Sequence, residues 1–100
     1  MMYVVVVHEI KDPETAFSRG EKLVQNVDAP VGARGLQFYP SRDGSAVTCL
    51  WEAGSVESIQ RYVDETLGES SVNTCYAVDE AHAFADLPSG LSPSPRAVAR

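Results

Sequence analysis

The sequence predicts an α+β domain in the order β-α-β-β-α-β, a four-stranded antiparallel sheet carrying two helices on one face. Three observations predict it. Strand-like apolar runs stand at residues 2–10, 35–53 and 71–83. Two intervening segments, 11–27 and 54–70, begin with helix caps and repeat apolar residues at helical spacing. The middle run is broken by Asp43-Gly44, a hairpin turn signal, which makes it two strands.

The first strand, MYVVVVHEI, is a continuous valine run, and such a run predicts burial on both faces. A titratable pair, His8 and Glu9, follows it at once, and the pattern does not say which face His8 takes. In the next segment Asp12 suits the N-cap, Pro13 the first helical position and Glu14 the positive end of the dipole. Phe17, Gly20, Val24 and Val27, with Ala16 and Leu23, form the apolar face. Gly20 suggests close packing on the sheet. Asp28-Ala29-Pro30 ends the helix.

In the hairpin, a two-residue type I′ loop would set Arg42 opposite Ser45, Phe38 opposite Cys49 and Leu36 opposite Trp51. Leu36, Phe38, Val47, Cys49 and Trp51 then share one face, and Gln37, Tyr39, Thr48 and Leu50 the other. Ser55 caps the second helix, Val56, Ile59, Tyr62, Val63 and Leu67 line its apolar side, and Gly68 ends it. In the last strand Val72, Thr74 and Tyr76 oppose Asn73, Cys75 and Ala77. Residues 1–86 form the single domain. Residues 87–100 have no period and many Ser and Pro, which predicts a flexible tail.

Composition narrows the function. Hydrophobic residues make up 44% and charged residues 22%, as in ordinary globular chains. The net charge is −6 and the basic residues are scattered, so nucleic acid and membrane surfaces are poor partners. No stretch approaches the ~20 apolar residues of a membrane span. Two cysteines do not resemble a secreted disulfide framework, and the expected location is cytoplasmic.

Two helices on one face leave the other face of the sheet bare. Apolar residues there predict an interface, and a second copy of the same sheet is the simplest cover. The order of elements, together with CLWEAGSVESIQRYVDETLG (a strand ending in Trp-Glu-Ala that runs into a capped helix), resembles the ferredoxin-like dimeric α/β-barrel superfamily over residues 2–86. Small members of that superfamily include cofactor-free monooxygenases, muconolactone-isomerase-like proteins, stress-responsive barrel proteins and nickel-binding proteins. The resemblance implies a homodimer, and one fold hosts many activities.

Three functions follow as expectations. In the first, a cofactor-free homodimer binds a small apolar or aromatic molecule between sheet and helices. His8 is the acid-base candidate, because its ordinary pKa lies near neutrality. Phe38, Trp51, Tyr62, Asn73 and Tyr76 are the ligand-binding candidates. In the second, His8, Glu9, Glu80 and His82 bind a metal across subunits, since the two histidines should lie on the order of 20 Å apart within one chain at ~3.3 Å per residue. In the third, the protein is a structural barrel with a filled interior and no ligand. Cys49 and Cys75 fall on strands separated by the first, too far apart for a disulfide. A Cys49–His8 pair is geometrically open, and two small buried hydrophobes are the plainer reading.

Overall fold

A computed structural model describes residues 1–95. The elements are β1 (Met2–Ile10), α1 (Pro13–Val24), β2 (Arg34–Pro40), β3 (Ala46–Ala53), α2 (Val56–Leu67) and β4 (Ser71–Ala77). A single 3-10 turn, Gly68–Ser70, joins α2 to β4. The sheet is antiparallel throughout, in the order β2-β3-β1-β4. This is the ferredoxin-like α+β fold. The tail expected over 87–100 runs past the described residues, and 96–100 lie outside them.

Alternation along β1 divides the sheet. Val4, Val6 and His8 point to the helices and are buried, while Tyr3 and Val7 on the other face are exposed. From β3 the helix side receives Val47, Cys49, Trp51 and Ala53, all buried. The α2 stripe of Ile59, Tyr62, Val63 and Leu67 closes over them. Burial of each such aliphatic side chain contributes roughly 1.5–3 kcal/mol. The continuous valine run is therefore buried on one face only within one chain.

The caps form as expected. Asp12 accepts from the Thr15 amide at 3.3 Å and from the Thr15 hydroxyl at 2.7 Å, and these bonds hold the Asp12 carboxyl below its ordinary pKa. Ser55 accepts from the Ser58 amide at 3.1 Å. Helix α1 stops at Val24, short of Val27. Asn26 and Asp28 take left-handed φ angles of 58° and 57°, a conformation a helix does not contain, and Val27 is exposed. Leu23 and Ala16 carry the buried face of α1.

The hairpin differs from the sequence reading in two places. The Ser41 amide donates to the Ala46 carbonyl at 2.8 Å, so the loop is the four residues Arg42 to Ser45. Only Gly44 (φ 76°) is left-handed, whereas a type I′ turn needs two such residues. The Asp43 carboxylate instead accepts from the Ser41 hydroxyl, the Ser45 amide and the Ser45 hydroxyl. These bonds hold its pKa down to about 2. Phe38 does face Cys49, but the register shifts between Gly35 and Gln37, so Gly35 rather than Leu36 faces Trp51. The Trp51 ring lies against Gly35, within ordinary van der Waals reach of where a Cβ would stand.

Candidate functional site

His8 sits on the helix side of β1, between Val47 on β3 and Asn73 on β4, and is 2% exposed. A buried imidazole needs partners for both nitrogens. Its Nδ1 is 2.6 Å from Asn73 Oδ1, and its Nε2 is 3.4 Å from the Cys49 sulfur. Asn73 Nδ2 donates to Asp64 Oδ1 on α2 at 2.9 Å. The order Asp64, Asn73, His8, Cys49 is thus one continuous hydrogen-bonded chain across α2, β4, β1 and β3.

Gln60 locks the outer end of this chain. Its side-chain amide donates to both Asp64 oxygens and, at 2.9 Å, to the Asn73 carbonyl, and its oxygen accepts from the Cys75 amide at 3.3 Å. Gln60 and Asp64 stand four apart on α2, so they share a face beside β4. Sequence reasoning passed over both, although polar residues at i and i+4 flanking an apolar stripe are a usable signal.

Burial lowers the His8 pKa from its ordinary 6.5; the Asn73 hydrogen bond and the Asp64 charge oppose that shift. Desolvation wins because the imidazolium would lie in a low-dielectric interior. Burial pushes the Cys49 thiol up to about 12, with the neighbouring Cys75 adding to it. The expected Cys49–His8 contact exists, but it joins a thiol to a neutral ring. It is not the thiolate that nucleophilic chemistry needs. Cys49 and Cys75 are both free and flank Val6 on the two neighbouring strands.

A cavity of about 90 Å³ lies between α1 and the sheet. His8, Phe38 and Val47 line it from the sheet, and Ala16, Gly20 and Leu23 from α1. Gly20 does not bring the backbones together as the sequence suggested. A Cβ built there meets nothing within 4 Å, so the missing side chain leaves room beside the cavity. Phe17 and Phe38 stand at the rim, 38% and 42% exposed.

The other candidates divide. Phe38 and Asn73 join His8, the first through the cavity and the second by a hydrogen bond. Trp51 and Tyr62 are core. Their rings meet edge to face at 5.8 Å, and the Tyr62 hydroxyl donates to the Val27 carbonyl at 2.6 Å. Trp51 Nε1 is buried and has no hydrogen-bond partner among the described residues. Tyr76 is a correction: it alternates with Asn73 and Cys75, so it lies on the bare face, half-exposed.

Within one chain the metal set His8, Glu9, Glu80 and His82 does not come together. Adjacent strand residues point to opposite faces, so Glu9 turns away from buried His8 and pairs with Lys11 at 2.6 Å. His82 is exposed and bonded to Asp79 at 2.8 Å, while Glu80 lines a groove of about 570 Å³ on the bare face. Among the described residues no group of three or more His, Cys, Asp or Glu could hold a metal ion. No helix among them is long and apolar enough to cross a membrane.

No protein-family model and no curated protein matches the sequence. Among solved structures, the crystal structure of SCO4226 from Streptomyces coelicolor A3(2) is similar, with a TM-score of 0.50 and 18% identity, over 77% of this chain and 95% of that one. The solution structure of a de novo designed protein with a ferredoxin fold aligns with a TM-score of 0.49 and 15% identity, over 91% of this chain and 96% of that one. The likeness to SCO4226 is one of fold.

Proposed function

We propose that the chain is a homodimer in which each subunit binds a small, mainly apolar molecule between α1 and the sheet, with His8 as the proton-accepting group. One observation carries this reading: a buried, neutral imidazole, braced from α2, forms part of the wall of an apolar cavity. A buried polar network is often no more stabilising than the apolar packing that could replace it, so its presence beside a cavity is consistent with a task there. Proton removal from the bound molecule is the step such a base supplies. Isomerisation and cofactor-free oxygenation can both begin there.

The cavity is smaller than the roughly 150 Å³ that holds benzene. A ring therefore enters by displacing the two rim phenylalanines, neither of which is held in the core. The dimer rests on the bare face of the sheet, where Tyr3, Val7, Tyr39, Val72 and Tyr76 are exposed together. Two ion pairs lie on that side, Arg34 with Glu52 at 2.9 Å and Glu9 with Lys11 at 2.6 Å. In the same reading the protein works in the cytoplasm, where two free thiols stay reduced.

The test is ligand-induced stabilisation. Small aromatic and alicyclic molecules should raise the melting temperature of the wild type in a concentration-dependent way. They should leave Gly20→Leu, which fills the cavity, unmoved. If no such molecule stabilises the wild type, the barrel has no small ligand and the structural reading stands. Sedimentation should give a dimer that Val7→Lys converts to a monomer.

A further inference from the structure

The hydrogen bonds around His8 have a direction, and it is set from the surface of α2. A carboxylate only accepts. Asp64 therefore draws the Asn73 amide nitrogen toward itself, at 2.9 Å. That turns Asn73 Oδ1 toward β1, where it accepts from the Ser71 hydroxyl at 2.6 Å and faces His8 Nδ1 at 2.6 Å. An acceptor at that distance requires the proton to be on Nδ1. Nε2 is left with its lone pair, faced among the described residues by the thiol of Cys49 alone, a weak donor at 3.4 Å.

We propose that Asp64, acting through Asn73, is the positioning residue that fixes His8 in the Nδ1–H form, and that the cavity thereby selects compact apolar molecules bearing one hydroxyl of the phenol or enol type. The second half rests on the function proposed above. The ligand hydroxyl donates to Nε2 in place of the Cys49 thiol. Among the described residues that line the cavity, the one side-chain N–H is His8 Nδ1–H, already engaged by Asn73, so a ligand that offers only an acceptor, such as a ketone, finds no side-chain donor there. An anion also meets Glu21 at the rim. A site built around one buried acceptor discriminates strongly, because the mismatched ligand leaves a polar group unpaired.

Two measurements test the two halves separately. The first is the imidazole tautomer, read from long-range ¹H–¹⁵N spectra at neutral pH. The wild type should show the proton on Nδ1. In Asp64→Asn the side chain at 64 can also donate, so Asn73 is free to turn over and His8 shifts toward the Nε2–H form. The exchanged pair Asp64→Asn with Asn73→Asp should restore Nδ1–H, because the acceptor again faces His8. Ser71→Ala, which removes only the other donor to Asn73 Oδ1, should leave the tautomer unchanged. Retention of the Nδ1–H form in Asp64→Asn overturns the positioning role.

The second measurement compares phenol with toluene, its near-isostere without a donor, by calorimetric titration. Asp64→Asn should weaken phenol about tenfold, the scale of one hydrogen bond, and leave toluene unchanged. Parallel weakening of both, or of neither, overturns the selectivity. If the wild type binds neither probe, the ligand half fails together with the function it rests on, while the tautomer result still judges Asp64.

Discussion

Asn73 Oδ1 lies 2.6 Å from His8 Nδ1 across directly opposed positions of β4 and β1, and this contact is what lets an imidazole sit in the core. It satisfies one nitrogen but does not undo desolvation, so the His8 pKa is lowered from 6.5. The unfolded chain then binds a proton that the folded chain resists. Stability from this group is complete above about 6.5 and falls as pH drops below it, until His8 titrates in the folded state. One proton sets the slope at no more than about 1.4 kcal/mol per pH unit. Urea midpoints between pH 7.5 and pH 5 should fall along this course, and His8→Gln should remove that part of the slope.

Removing the Asn73 side chain strands two buried donors, His8 Nδ1–H and the Ser71 hydroxyl. Asp64 Oδ1 still accepts from Gln60 and reaches water, so the buried donors dominate. Asn73→Ala should cost about 1–3 kcal/mol, the penalty of an unsatisfied buried polar group. The urea midpoint should fall with an unchanged m value. A change under ~0.5 kcal/mol would show that water replaces the amide.

Gly20 separates stability from binding. It lies inside α1, where glycine costs roughly 0.5–1 kcal/mol relative to alanine, and an added Cβ meets no neighbour within 4 Å. Gly20→Ala should therefore stabilise the fold by about that amount in denaturant titrations. It should also narrow the cavity and weaken any bound ring. Gly20→Leu should abolish ring binding.

Tyr62 ties two distant pieces of chain. Its hydroxyl donates to the Val27 carbonyl at 2.6 Å, beside the left-handed residues Asn26 and Asp28. Tyr62→Phe keeps the ring against Trp51 and loses that bond together with the longer one to the Lys22 carbonyl at 3.4 Å, at a cost of about 0.5–1.5 kcal/mol. Amide exchange over residues 25–29 should quicken. Trp51, the one tryptophan, should keep its buried emission.

The fold was legible because its signals are local. Asp12, Pro13 and Ser55 mark helix starts, and strict alternation from Val72 to Tyr76 fixes the faces of β4. The site was legible only in part. His8 and Asn73 stand out as polar residues in strands, but four consecutive valines carry no alternation, so the face of His8 depends on pairing with β3 and β4. Those pairings are tertiary. Asp64 and Gln60 sit on a solvated helix flank; their i, i+4 spacing marks a shared polar face but does not say which strand it meets. The shift between Gly35 and Gln37 is a local irregularity of the β2–β3 ladder, which strand periodicity does not encode. Tyr76 was misplaced by counting it as an aromatic rather than by its own alternation.

A ¹H–¹⁵N titration of the intact protein with phenol tests directly whether the space beside His8 accepts a small apolar molecule. Saturable shifts are expected at Ala16, Gly20 and Val47 of the wild type, and in Gly20→Leu those at Ala16 and Val47 vanish. No saturable shift, or shifts confined to Tyr3, Tyr39 and Leu50 on the opposite face, would contradict such binding.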